Sequence, residues 1–176
     1  MTDRDGIEVR RLAPAELEES IDDLAAVLAD CVDGGASVSY MAPFSHGEAR
    51  AAFEGFADDA ALGGRVIVGA FDGARLVGTV QVVLALPPNQ PHRAEIVKLL
   101  VHRSARRRGI AELLMAQAER EARVEGRTLL VLDAVTGGDA ARLYERLGWV
   151  RVGDIPRYAL MPRGGFCSTT YYYRDL

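Results

Sequence analysis

The stretch EIVKLLVHRSARRRGIAE, residues 95–112, carries the pattern that decides the fold of this chain. An apolar run over residues 95–101 predicts a strand, a basic loop follows it, and the next helix begins at Gly109. The first turn of a helix has free backbone N–H groups and a partial positive charge, so it attracts anions. Gly109 and the small Ala111 let a bulky phosphate approach the backbone closely. We therefore predict a pyrophosphate site here, with added charge from Arg103, Arg106, Arg107 and Arg108.

A solvated basic loop that only precedes a helix is the alternative interpretation of these arginines. Two better-known phosphate motifs, GxxxxGK[ST] and GxGxxG, are not matched by the loop. Its position between a buried strand and a helix, with glycine at the joint, favours the anion site.

Upstream of this stretch, hydrophobic periodicity predicts a strand, two helices and a hairpin. The strand covers residues 7–12, one helix runs from Pro14 to Gly34-Gly35, a second runs from the capping box Ser45-x-x-Glu48 to Gly63, and the hairpin strands cover 65–71 and 76–86. Asp72-Gly73 between the last two runs is typical of a tight hairpin turn.

Downstream, the pattern predicts two more helices and three strands. The helices cover residues 109–126 and a short segment that Asp139 caps and Gly148 ends, and the strands cover 128–132, 149–155 and 169–173. The wholly apolar strand at 128–132 is expected to be buried on both faces. This order predicts one α/β domain over residues 1–176, with a mixed sheet and helices on its faces.

Composition excludes several classes of protein. The net charge of -4 disfavours nonspecific nucleic-acid binding, which requires an excess of basic residues. The two cysteines, Cys31 and Cys167, do not suggest a disulfide scaffold, and the three histidines lack metal-ligand spacing, so no metal is predicted. No apolar run approaches the ~20 residues of a membrane helix, and we expect a cytoplasmic protein that binds no membrane.

The segment Arg106-x-x-Gly109-x-Ala111 resembles the acetyl-CoA signature of the GNAT N-acetyltransferase superfamily. ARLYERLGW, residues 141–149, resembles the second conserved block of that superfamily. Residues 34–41, 93–98 and 152–158 are similar to segments of the tabtoxin resistance proteins, a toxin-acetylating group within it. The resemblance implies a GNAT-like, mostly antiparallel sheet of about seven strands, splayed in the middle between the strands at 95–101 and 128–132.

The same resemblance implies acetyl-CoA as co-substrate. Its pantetheine arm would pair with the backbone of Leu99, Leu100 and Val101, and its pyrophosphate would lie on Arg106, Arg107, Arg108, Gly109, Ile110 and Ala111. The superfamily often has an asparagine where this chain has Gly137, so one polar contact to the arm is missing or replaced.

Acetyl transfer to an amine needs a group that removes the amine proton and one that protonates the departing thiolate. Glu95 is the first candidate base, because it begins the strand at residues 95–101 that leads into the predicted cofactor loop. It could instead point to solvent. Asp133 ends a buried strand and is the second candidate, although such residues also cap turns. Tyr144 matches the superfamily tyrosine and is the candidate acid, whereas a helical tyrosine alone would be assigned to the core. No role is assigned to Lys98.

The apolar loop at residues 36–44 either packs over the core or forms a wall of a pocket. We expect Ser37, Tyr40 and Met41 of this loop to contact the acceptor. The sequence thus predicts an acetyl-CoA-dependent N-acetyltransferase acting on a small amine, including amino-acid-like toxins or antibiotics. Acetylation of a protein N-terminus or lysine and a non-catalytic acyl-CoA sensor are the alternatives, and a homodimer is left open.

Overall fold

A single mixed sheet organises the molecule. The computed structural model describes residues 2–3 and 6–176, with side chains from residue 6 onward. The strands are β1 (Thr2–Asp3), β2 (Ile7–Arg11), β3 (Arg65–Asp72), β4 (Arg75–Val83), β5 (Arg93–Val101), β6 (Leu129–Val135), β7 (Val150–Leu160) and β8 (Phe166–Asp175). Their order is β1-β2-β3-β4-β5-β6-β8-β7, and only β5 and β6 pair in parallel. The predicted sheet is confirmed, with the two-residue β1 added to seven longer strands.

In the described part of the chain, five α-helices cover the two faces of the sheet. They are α1 (Pro14–Glu19), α2 (Ile21–Asp33), α3 (His46–Ala61), α4 (Ile110–Val124) and α5 (Asp139–Arg146). The predicted first helix is divided at Ser20, whose N–H bonds back to the carbonyls of Glu16 and Leu17. The serine hydroxyl competes with helical backbone groups for hydrogen bonds, so serine is disfavoured inside helices and favoured at their ends. None of the described helices is long and apolar enough to cross a bilayer.

Helix starts show one correct and one wrong prediction. The Ser45 hydroxyl accepts a hydrogen bond from the Glu48 N–H at 3.2 Å, and the Ser45 N–H donates to the Glu48 carboxylate at 2.8 Å, so the capping box is formed. Asp139 does not cap α5, because Gly138 is the N-cap residue and Asp139 is the first residue of the helix. Its carboxylate instead accepts from Arg142 at 2.5 Å.

The sheet separates two hydrophobic cores. The first lies under α4 and α5, and the second lies under α1, α2 and α3. Strand β6 contributes Leu130 and Leu132 to the first core, whereas Leu129 and Val131 are only partly buried. The prediction that this strand is buried on both faces is therefore wrong, because the helices of the second layer pack against β3, β4 and β5.

The sheet opens in its middle, as the resemblance implied. Strands β5 and β6 pair only from Arg93 with Leu129 to Glu95 with Val131, and then they separate. A bulge accompanies the opening: Gln81 faces Val97, yet Thr79 faces Leu100, so β5 contains one extra residue. Such a bulge bends and twists its strand.

Candidate active site

The loop between β5 and α4 leads directly into a helix N-terminus. Arg107 and Gly109 both adopt left-handed backbone angles, with φ of 67° and 76°. Left-handed residues turn the chain so that nearby backbone N–H groups can form an anion-binding concavity. Gly109 is also the N-cap of α4, where no side chain satisfies the free amides. This geometry fits the predicted pyrophosphate site.

The arginines of this loop mostly bind protein groups. Arg103 donates to Asp30 at 2.7 Å, and Arg108 pairs with Asp72 at 2.5 Å. Arg106 Nε donates to the Val101 carbonyl at 3.1 Å, so this side chain braces the end of β5. Arg107 makes no hydrogen bond or ion pair with the rest of the described chain. The backbone of the loop is therefore the main anion-binding feature, and Arg107 is the most available guanidinium.

The gap beside β5 is where the pantetheine contacts were predicted. Beyond Glu95, the ladder to β6 ends, so the groups on that edge of β5 have no partner strand. Leu99 and Val101 are partly buried against the first core, whereas the Leu100 side chain is buried in the second. The Val101 carbonyl already accepts from Arg106 and from the Cys31 thiol, at 3.1 and 3.6 Å. Leu99 and the backbone of Leu100 remain the freer candidates.

Both predicted carboxylates lie on the same face of the sheet. Alternate residues of a strand point to opposite faces. Ala94, Ile96 and Leu132 point into the first core, so their neighbours Glu95 and Asp133 point to the other face. Glu95 lies beside Val131, two residues before Asp133. The two candidate bases are therefore brought together at the start of the gap.

The two carboxylates have different partners. Arg93 Nη1 donates to Glu95 at 2.8 Å, and the Glu95 side chain is 41% exposed. Asp133 is exposed, and its carboxylate accepts a 2.7 Å hydrogen bond from the hydroxyl of Thr169. Thr169 itself is buried and only 3% exposed. A buried hydroxyl thus fixes the orientation of Asp133, while a cation holds Glu95.

Tyr144 lies on the other face of the sheet from the two carboxylates. It lies on α5 in the first core, is 5% exposed, and packs against Trp149 and Tyr172 with ring centroids 6.0 and 5.9 Å away. Burial raises its pKa well above the ordinary value, and the negative charge of Asp133 adds to the shift. Tyr144 is therefore protonated at neutral pH and can act as a proton donor.

The loop at residues 36–44, the acceptor loop, joins the two halves of the splayed sheet. Lys98 Nζ on β5 donates to the Val38 carbonyl at 2.9 Å. On the other half, the Ser37 hydroxyl donates to the Leu160 carbonyl at 3.2 Å, and the Ala42 N–H donates to Pro162 at 2.8 Å. The loop both packs on the second core and crosses the open side of the gap.

The three residues predicted to contact the acceptor have separate positions. Ser37 is tied to β7, and Tyr40 stacks on Phe44 with centroids 4.5 Å apart and lies beside Lys98. Met41 is 46% exposed and lines a surface depression with Asp33 and the turn that follows β7. None of the catalytic candidates lines that depression, so Met41 is not brought together with them.

A pair of tyrosines was missed by sequence reasoning. The hydroxyls of Tyr158 and Tyr171 are 2.7 Å apart, and Tyr171 lies directly opposite Asp133 in the ladder. The hydrogen bond to Tyr158 raises the pKa of Tyr171, with burial and the charges of Asp133 and Glu95 contributing. The alternating tyrosines of residues 171–173 predicted a strand, but only the register of β6 and β8 places Tyr171 beside the carboxylates.

Comparison with known proteins supports the fold described above. Three solved structures share the fold along nearly the entire chain. The N-acetyltransferase from Staphylococcus aureus Mu50 has a TM-score of 0.78 at 19% identity, covering 96% of this chain and 98% of its own. The Salmonella typhimurium acetyltransferase yncA, solved with its cofactor acetyl-CoA, has a TM-score of 0.78 at 16% identity, with coverages of 97% and 94%. A ribosomal-protein-alanine N-acetyltransferase from Brucella melitensis has a TM-score of 0.77 at 19% identity, with coverages of 96% and 99%.

The sequence itself matches a family. Residues 35–149 match the Acetyltransferase (GNAT) family. This span includes the acceptor loop, helix α5 and the loop between β5 and α4, residues 102–109, which we call the anion loop. This match spans more than half of the chain, so the chain belongs to the GNAT family of acetyltransferases.

Proposed function

We propose that the protein transfers an acetyl group from acetyl-CoA to the amine of a small molecule, a class that includes amino-acid-like toxins and antibiotics. The observation that carries the proposal is that Tyr144 lies in the core on the other face of the sheet from Asp133, close enough for the charge of Asp133 to act on its phenol. A proton acceptor and a proton donor so close together suit a transfer in which one proton is removed and another is supplied.

The residues present fit acetyl-CoA. The left-handed loop and the uncapped start of α4 would hold the pyrophosphate, and the unpaired edge of β5 would bind the pantetheine amides. Gly137, at the position of the superfamily asparagine, has a left-handed φ of 70° and offers no side chain to the arm. Acetyl-CoA supplies the acetyl thioester, and the remaining chemistry falls to side chains.

Asp133 is our preferred base. A free alkylamine has a pKa near ~10 and must lose a proton before it can attack the thioester. Asp133 is fixed by Thr169, and its charge acts on both Tyr144 and Lys98. Glu95 has one carboxylate oxygen occupied by Arg93, which suits a residue that binds the incoming ammonium. Tyr144 then protonates the departing thiolate.

The acceptor loop favours a small acceptor over a peptide. It is fastened to β5 and to the end of β7, so it narrows the open side of the gap. A peptide acceptor needs an open groove, and it remains the second candidate because a structural neighbour is a ribosomal-protein-alanine N-acetyltransferase. A non-catalytic sensor is disfavoured because Glu95, Asp133 and Tyr144 are all present. The cytoplasmic location expected from the sequence remains part of the proposal.

The decisive experiment is a screen for CoA-thiol release. Acetyl-CoA is incubated with the protein and a panel of small amines, amino acids and N-terminal peptides, and the acetylated product is identified by mass spectrometry. We expect turnover with small amines and little with peptides. Turnover confined to peptides would favour the second candidate, and acetyl-CoA binding without any turnover would favour the sensor.

A further inference from the structure

Lys98 is a partly buried cation whose ammonium bonds only to uncharged groups of the described chain. It lies at the bulge of β5 and has a left-handed φ of 53°, which is unfavourable for a residue with a side chain. Its ammonium donates to the Val38 carbonyl at 2.9 Å and to the Ser39 hydroxyl at 3.1 Å, and lies 5.3 Å from the centroid of the Tyr40 ring. It forms no ion pair within the described part of the chain. A partly buried charge is more stable with a counterion, so an anionic ligand would improve the surroundings of this one.

The neighbouring cation does not share this feature. Arg65, on β3, pairs with Asp59 at 2.9 Å and lies 4.6 Å from the ring centroid of Phe56. Its own charge is thus satisfied. Burial, together with the positive charge of Arg65, lowers the pKa of Lys98 to about 8. The negative charge of Asp133 acts in the other direction and raises that pKa. Lys98 therefore still carries its charge at neutral pH.

The position of Lys98 points to the acceptor. It contacts the acceptor loop, which covers the same face of the sheet as Glu95 and Asp133. An ammonium has three N–H donors, and two are used by the loop. On this face of the sheet, two carboxylates therefore lie near the start of the gap, and one cation with a donor to spare lies further along β5. A ligand with an amine at one end and an acid group at the other matches this arrangement.

We propose that Lys98 binds the acid group of the acceptor, so that the substrates are amines that carry a carboxylate or a similar oxyanion. This inference rests on the proposed transferase function and narrows its substrate class. It assigns Asp133 and Glu95 to the amine end of the acceptor and Lys98 to the acid end. Lys98 is then a specificity-determining residue as well as a fastening point of the acceptor loop.

The test compares each amino acid of a panel with its own carboxamide, at saturating acetyl-CoA. For the wild type we expect kcat/KM to favour the acid by about 10–100-fold, the value of a hydrogen bond to a charged group. Lys98→Met should abolish this preference, chiefly through KM for the acid, and leave the affinity for acetyl-CoA unchanged. Ser39→Ala is the matched control, because it removes a loop hydrogen bond but keeps the cation, and it should retain the preference.

Several outcomes would overturn the inference. They are a wild type that does not distinguish acid from amide, and a Lys98→Met variant that loses activity equally on both. The first is decided without any variant, so a folding failure of Lys98→Met does not obscure it. Turnover confined to amines without an acid group would overturn the role of Lys98 but preserve the transferase function. No turnover of any amine, with acetyl-CoA still bound, would overturn both.

Discussion

Tyr144 combines two properties that are separable by mutation, since its ring fills the first core and its phenol is close enough to Asp133 to be affected by that charge. Tyr144→Phe keeps the ring and removes the hydroxyl. We expect kcat to fall by about 10²–10⁴-fold, the contribution of a general acid, with unchanged affinity for acetyl-CoA. Tyr172→Phe is the control, because Tyr172 belongs to the same aromatic cluster but its hydroxyl bonds to Glu145. Equal, small effects of the two changes would show that Tyr144 is only structural.

The two carboxylates are distinguished by pH–rate profiles of isosteric variants. If Asp133 is the base, Asp133→Asn should lower kcat, and raising the pH should partly restore it by supplying neutral amine. Glu95→Gln should then mainly raise KM, since it removes a contact to the ammonium. The opposite assignment of the two phenotypes would return Glu95 to the role of base. Two profiles like that of the wild type would contradict a catalytic role for either residue.

Single residues were predictable where the signal was local. Glu95, Asp133 and Tyr144 follow from strand ends and from a short motif, and the fold brings the two carboxylates to one face of the gap. Arg106 was predicted as an anion ligand, yet its side chain binds the Val101 carbonyl. Lys98 and Tyr171 acquire their surroundings from segments 60 and 38 residues away, at Val38 and Asp133, and no local pattern contains that information.

The junction between β5 and α4 is tested by placing a carboxylate at Gly109. Gly109→Glu should weaken acetyl-CoA binding by at least about 100-fold, because like charges in contact cost several kcal/mol. The left-handed φ of 76° adds a backbone penalty of about 1–2 kcal/mol. Gly126→Glu is a matched control, since Gly126 follows the other end of α4 with a φ of 71° and equally open space. Calorimetry showing similar affinities for the two folded variants would refute the anion site.

Helix α2 is joined to the anion loop through Asp30. The Asp30 side chain is 11% exposed. Its carboxylate accepts hydrogen bonds from the backbone N–H of Arg103 at 2.8 Å and from Arg103 Nε at 2.7 Å. Burial alone would raise the pKa of Asp30, but these hydrogen bonds outweigh it and hold the pKa below its ordinary value. The charged carboxylate therefore stabilises the fold above the pKa of an unfolded-state aspartate, and this contribution is lost as the pH falls through the folded-state value.

Asp30→Asn should consequently lower the free energy of unfolding by about 1–3 kcal/mol at neutral pH. The difference from the wild type should shrink below about pH 4. Asp33→Asn is the control: this residue also contacts Arg103, but its side chain is 62% exposed, so we expect a loss below about 1 kcal/mol. Urea denaturation at several pH values measures both. A constant difference between pH 7 and pH 3 would contradict the role of the Asp30 charge.

Most elements were predictable because their periodicity is local. The capping box, the Asp72-Gly73 hairpin and helix α4 appear near the predicted positions. The errors have tertiary causes. The face of β6 that was expected to be buried is left partly open because the second helix layer ends before it. Strand β7 extends to Leu160, well beyond the predicted end at residue 155, because it pairs with β8 as far as Phe166.

For the molecule as a whole, acetyl-CoA should act as a stabilising ligand, since the loop and the strand edge that would bind it exist only in the folded protein. At 100 times its Kd, a ligand that binds only the folded state adds about 2.7 kcal/mol. For a domain of this size that corresponds to a rise in Tm of about 5–11 °C. Thermal denaturation with and without acetyl-CoA measures the shift. Gly126→Glu should retain the shift and Gly109→Glu should lose it, and an equal shift in both would contradict the assignment.

The early end of the ladder between β5 and β6 also affects how the protein avoids self-association. A strand edge with unused hydrogen-bonding groups normally recruits other chains and promotes aggregation. Here the unused edge of β5 lies inside the sheet, with β6 on the far side of the opening. Paired strands lie about 4.8 Å apart, so an entering strand needs about twice that spacing between its two neighbours. The narrow end of the opening is therefore too narrow for a second polypeptide strand, while the wide end is accessible to a thin, flexible ligand such as a pantetheine arm.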